Sequence, residues 1–139
     1  MSELRVSDRA LASFREHQEE IIARATERAM KRREEVAHHG ANAERIIHAG
    51  LGFVTRMLDA ALATGESSLL EEQLAWGRSR LPIDGVQPEH VRSRLEIYRA
   101  TVLDVMPEPY AGEIAEAVGW MVRRHDELGE EPRQGGAKK

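Results

Sequence analysis

The sequence predicts an all-α domain, a bundle of about five helices. Three observations lead there. Apolar residues recur at helical spacing rather than alternating. The composition is rich in Ala, Glu, Arg and Leu and only 4% aromatic, which favours helix over sheet. Gly40, Gly65 and the prolines at 82, 88, 107 and 109 fall where the periodic stretches stop. At 139 residues the chain is the size of one domain, and 41% apolar content suffices for one core.

Ser7 is the expected N-cap of the first segment, with Asp8 in the first turn suiting the helix dipole. Leu11, Phe14, Ile21, Ile22, Ala25, Ala29 and Val36 then recur at helical spacing. The stretch 8–38 therefore reads as one long helix or two helices joined by a bend. Gly40 ends it, and Asn42 is placed to cap the next. A second helix runs from Ala43 to Thr64 and stops at Gly65. Between Ile46 and Ala63 it carries only Arg56 and Asp59 as formal charges, in a chain that is 32% charged. It is too long for a strand and too short and interrupted to span a bilayer, so it is expected to be the most buried helix, lying between the others.

Ser68 and Glu71 have the spacing of a capping box for a third helix, with Leu70, Leu74 and Trp76 on it. Pro82 disfavours helical geometry at Leu81, so that helix should end near Arg80. LPIDGVQP is then a turning loop. Pro88 opens a fourth helix striped by Val91, Leu95, Tyr98, Val102 and Val105, and Pro107 and Pro109 break it. A fifth, about Tyr110 to Leu128, presents Ile114, Ala117, Val118, Met121 and Val122. These make one domain over 1–128, followed by a polar, Gly-rich tail over 129–139 that reads as disordered.

Composition also excludes function classes. Without cysteine there is no disulfide, thiolate nucleophile or Cys-ligated metal. The charged N-terminus lacks the apolar run of a secretory signal, and a cytoplasmic protein is expected. A net charge of −4 argues against nucleic acid or an anionic membrane as partner. The basic cluster Arg24, Arg28, Lys31, Arg32 and Arg33 is interleaved with glutamates and reads as a solvated helix face. No nucleophile–base pair, inward carboxylate pair or phosphate loop is evident, so no catalytic residue is assigned and the chain is not expected to be an enzyme. His38, His39, Glu44 and His48 can be drawn as a metal site, with Glu44 and His48 one turn apart. No metal motif accompanies them, and no metal is expected. His38 and His39 read instead as partly protonated imidazoles favoured by a helix C-terminus.

Gly50 and Gly52 stand inside the apolar second helix beside His48. Glycine there costs about 1 kcal/mol relative to alanine, so close approach of another backbone or of a ligand is implied. With few aromatics to refill the space, a mainly apolar cavity is expected beside His48. Its walls would be the second helix with Gly50 and Gly52, and the helices carrying Trp76 and Tyr98. A fatty acid or a tetrapyrrole would suit it. Tyr98, Val102, Val118, Trp120 and Met121 give the last two helices more apolar positions than one stripe needs. Val102, Val118, Trp120 and Met121 are accordingly the expected homodimer interface.

The stretch GVQPEHVRSRLEIYRATVLDVMPEPYAGEIAEAVGWMVRR resembles the last two helices of bacterial globins and globin-like sensor domains. FREHQEEIIARATERAM is similar to the opening helix of the stressosome RsbR-type regulators, whose N-terminal domain is a globin fold without haem. HAGLGFVTRMLDAALATGESSLLEEQLAWGRSRL resembles helical regions beside signalling modules in bacterial regulators. The resemblance implies a globin-like bundle. A haem globin needs a proximal histidine just before the loop into the penultimate helix, and Trp76–Leu81 offers none. The resemblance thus implies a non-haem regulatory domain that answers a stress signal or small molecule and contacts a downstream signalling protein. The alternatives are haem or another tetrapyrrole held through His48 or His90, and a purely structural helical interaction module.

Overall fold

The structure, a computed structural model, describes residues 4–130. Those residues form six α-helices and two 3-10 turns, with no strand among them. The helices are α1 (Asp8–Ala29), α2 (Arg33–His39), α3 (Ala43–Thr64), α4 (Ser67–Arg80), α5 (Pro88–Val105) and α6 (Tyr110–Glu130). The five long ones match the expected segments. α2, of 7 residues, is the second half of the first stretch. It is separated because Lys31 and Arg32 turn back onto Arg28 and Ala29, and Arg32 is extended.

Ser7 caps α1 as expected: its Oγ accepts from the Ala10 amide at 3.1 Å. The same residue donates through N and Oγ to the Glu113 carboxylate, which fastens the start of α1 to α6. Gly65 closes α3 in the left-handed region, φ 74°, and its amide returns to the Ala61 carbonyl at 2.7 Å. The Ser68–Glu71 capping box does not form. The tight turn at Gly65 starts α4 at Ser67, and Glu71 instead pairs with Arg124 on α6. Asn42 makes no side-chain cap either, because a 3-10 turn over Gly40–Asn42 runs directly into α3. Leu81 stays helical before Pro82 and opens a second 3-10 turn over Leu81–Asp84, and Gly85 reverses the chain at φ 91°. α6 continues through Gly129 and Glu130, the first two positions of the expected tail; its other positions, 131–139, lie outside the described residues.

α5 and α6 pack along each other, α1 lies across both and against α3, and α4 bridges α3 and α6. Phe14 and Ile21 of α1 meet Leu51 and Leu58 of α3, Leu95, Tyr98 and Val102 of α5, and Ile114, Val118 and Met121 of α6 in one core. α3 is not the most buried helix. It has eight buried residues, and so does α6. Its other side is exposed at His48, Ala49 and Phe53. The segment Arg33–Thr64 is long and apolar enough to cross a membrane, with mean hydropathy 1.3 over its best window. In this fold it is interrupted at Gly40–Asn42 and lays the buried face of α3 on α1.

Ion pairs reinforce the helix contacts. Arg15 of α1 grips Asp59 of α3 with two hydrogen bonds of 2.9 and 3.0 Å, and Gln18 adds a third. Those partners hold the Asp59 carboxyl below the usual carboxylate range. Arg28 crosses from α1 to Thr101 and Asp104 of α5, and Arg24 pairs with Glu20 along its own helix. Of the basic cluster, Arg24, Lys31, Arg32 and Arg33 are exposed, as expected of a solvated face, whereas Arg28 is half-buried against α5.

Candidate functional site: an apolar cavity walled by α3, α4 and α5

A cavity of about 560 Å³ opens between α3, α4, the Leu81–Asp84 turn and α5, and reaches Met121 and His125 of α6. Helical periodicity builds each wall. Ile46, Gly50, Phe53 and Met57 recur on one side of α3, and Val91, Arg94 and Leu95 on one side of α5. Ala49, Gly50 and Gly77 are among the lining residues and leave unfilled the volume that larger side chains would take. Trp76, 52% exposed, and Phe53 are lining residues that also reach solvent.

This cavity is not the one expected beside His48. His48 is exposed and faces a separate polar hollow with Asn42, Glu44 and Arg45. Three residues after Ile47, which is in the core, Gly50 turns to the cavity; His48, one residue on, turns outward. Gly50 and Trp76 line the cavity. Gly52 and Tyr98 do not. Gly52 is buried with Arg56 as the only neighbour that a Cβ would meet. Tyr98 is wholly buried, its hydroxyl 2.7 Å from Thr55 Oγ1, and burial raises its pKa. His90 is not on the cavity wall either.

The expected dimer residues are also placed differently. Val102, Val118 and Met121 are wholly buried in the chain's own core, and Trp120 is half-buried against it. The surplus of apolar positions on the last two helices is absorbed by α1, which packs on both.

Three charged residues line this apolar space, Arg94, Arg78 and Asp84, the last paired with Arg80 at 3.1 Å. Arg94, 7% exposed, lines the cavity, while its Nε and Nη2 reach Glu35 Oε2 at 2.5 Å and its Nη2 lies 2.9 Å from His39 Nε2. Arginine only donates, so His39 Nε2 is the lone-pair nitrogen of a neutral ring. Burial first and the Arg94 charge second push the His39 imidazole below its ordinary pKa. Of the two histidines expected to be partly protonated at this helix end, His39 is instead held neutral by Arg94, its side chain 4% exposed, while His38 is exposed. Arg78 of α4, the second cation, donates through Nε and Nη2 to the His125 carbonyl at 3.3 and 3.2 Å. The buried His125 ring is itself held below its ordinary pKa, by burial and then by Arg78. The wall is mainly apolar, with the guanidinium groups of Arg94 and Arg78, the Asp84 carboxylate, the Gln73 amide and the His125 imidazole as its polar groups.

The metal set drawn from sequence does not assemble, because Glu44 and His48 face solvent on α3. The histidine that joins His39 is His90, and the carboxylate is Glu35, one turn before His39 on α2. Sequence reasoning missed Glu35 and Arg94. Two signals were present: Glu35 and His39 are spaced i,i+4, and Arg94 interrupts the apolar side of α5 between Val91 and Leu95.

Among known proteins, no family model, no curated sequence and no solved structure matches this chain. The all-helical class is what the structure establishes.

Proposed function

We propose that the chain is a ligand-binding regulatory domain that takes a mainly apolar small molecule with an acidic end into the cavity between α3, α4 and α5. The cavity itself is the observation that carries the reading. Its volume of about 560 Å³ falls inside the range of roughly 300–1,000 Å³ typical of small-molecule sites. Its lining is mainly apolar with a few polar groups; Asp84 is paired with Arg80 and Arg94 with Glu35, so Arg78 and the remaining N–H groups of Arg94 are what complement a ligand carboxylate.

This is the behaviour implied by the resemblance to non-haem, RsbR-like globin domains in a cytoplasmic protein. A bound molecule acts only through differential affinity for two helix arrangements. α4 and the Leu81–Asp84 turn are the elements to shift, since they wall the cavity and expose Trp76 and Ile83 to a downstream signalling protein. A homodimer remains part of the proposal, with an interface outside the buried Val102, Val118 and Met121. No catalytic step is included.

A second reading, a bound tetrapyrrole, is favoured by His125, the only histidine lining the cavity among the described residues. Native mass spectrometry and a visible spectrum of the purified chain separate the two. The first reading predicts a one-to-one adduct of a small apolar acid, or uptake of added dodecanoate, and no Soret band. A Soret band that survives gel filtration and disappears in His125→Ala would replace it with the second. Absence of any adduct, of dodecanoate uptake and of a Soret band would remove both.

A further inference from the structure

We infer that Glu35, His39 and His90 form a binding site for a divalent transition-metal ion of the zinc type, next to the cavity and separate from it. One donor atom from each lies within 4.8 Å of the other two. Glu35 and His39 project from one face of α2, one turn apart, and His90 meets them from the first turn of α5.

Two buried atoms in this group have no hydrogen-bond partner among the described residues: Glu35 Oε1 and His90 Nδ1. Glu35 is 2% exposed, so water does not serve its free oxygen in bulk fashion, and an unpaired buried acceptor is costly. His39 Nε2 already presents a lone pair to the cluster, since its neighbour Arg94 can only donate. Two imidazoles and one carboxylate, with a fourth position for water, are a recognised zinc donor set. Carboxylate and imidazole without thiolate also suit the neighbouring first-row ions. His38 stands against both imidazoles, its ring centroid 5.1 Å from that of His39 and 5.2 Å from that of His90. Its Nε2 is 2.7 Å from the Gly85 carbonyl, which anchors it beside the site.

Arg94 sets the terms of binding. It now occupies Glu35 Oε2 and the His39 lone pair, and a divalent ion needs that lone pair. Ion and guanidinium therefore compete, and a guanidinium released from His39 stays on α5 at the cavity wall. Metal occupancy and the charge offered to a cavity ligand are coupled through this one side chain. The metal site itself stands without the cavity reading.

Calorimetric titration of the EDTA-stripped full chain with Zn²⁺, with Mg²⁺ as control, tests the site. One Zn²⁺ per chain is expected, with no response to Mg²⁺. His39→Ala and His90→Ala should each weaken Zn²⁺ binding at least about tenfold, and His48→Ala should leave it unchanged. Helical circular dichroism checks that each variant is folded, and the half-buried His90 is the safer of the two. Absence of stoichiometric binding, or equal affinity in folded His90→Ala, overturns the proposal.

Discussion

Gly50 and Arg94 share one volume: a Cβ at position 50 would stand 3.3 Å from Arg94 Nη1. The glycine in the middle of α3 is explained by this contact, an arginine tip from α5 rather than a crossing backbone. Gly50→Leu puts a branched side chain against that guanidinium and into the cavity. Dodecanoate affinity should fall at least about tenfold, with helical content kept. Gly52→Ala is the control. Its Cβ meets only the flexible Arg56 tip at 3.4 Å, so binding should persist and stability rise by up to about 1 kcal/mol. Equal binding by wild type and Gly50→Leu would mean the ligand lies elsewhere.

The Glu35–Arg94 pair is almost wholly withdrawn from water, with side chains 2% and 8% exposed. Removing one partner leaves an uncompensated buried charge, which typically costs about 3–5 kcal/mol. Arg94→Met and Glu35→Gln should each destabilise by that order in urea unfolding. The double variant should cost less than the sum, because neither charge is then stranded. Additive losses would show that the two side chains act independently.

Thr55 and Tyr98 differ in what each loses with its partner. Thr55 Oγ1 also donates to the Leu51 carbonyl at 2.9 Å, so Tyr98→Phe leaves it satisfied and should cost about 1 kcal/mol. Thr55→Val strands the buried Tyr98 hydroxyl and should cost more, about 1–3 kcal/mol. Thermal unfolding of the two variants gives the order, and the reverse order would contradict this account of the hydrogen bond.

The helix boundaries were legible because capping and breaking residues act locally. Ser7, Gly65 and Pro88 each end or begin a helix by their own backbone or side-chain chemistry. Glu71 was misread because its carboxylate has two possible partners, and the one chosen, Arg124, is 53 residues away. The cavity was legible as missing volume at Gly50, but its polar groups were not. Arg94, Arg78 and His125 lie on three helices, and only the packing of those helices brings them to one wall. The apolar surplus on α5 and α6 suggested an interface for a similar reason: nothing in their own sequence shows that α1 covers them.

His125 gives the fold a pH dependence of definite sign. Its pKa in the fold is below the unfolded value of about 6.5. Burial lowers it most, then Arg78 and Arg92, and Asp126 partly offsets them. Above pH 6.5 the ring is neutral in both states and nothing is lost. Below it, the unfolded chain takes up a proton that the fold disfavours, so stability declines towards the folded pKa. Unfolding midpoints should fall between pH 7 and 5, and less steeply in His125→Gln. An unchanged slope in that variant would assign the effect to other groups.

Ligand occupancy of the cavity is the central claim, and Trp76 reports on it directly because it lines the cavity while Trp120 does not. The measurement is a fluorescence titration of Trp120→Phe, which leaves Trp76 as the sole tryptophan, with dodecanoate below its micellar concentration. The account predicts a saturable one-site change in Trp76 emission that is abolished by Val91→Phe, which fills the wall without adding a second tryptophan. A linear, unsaturable response, or an identical curve in Val91→Phe, would contradict it.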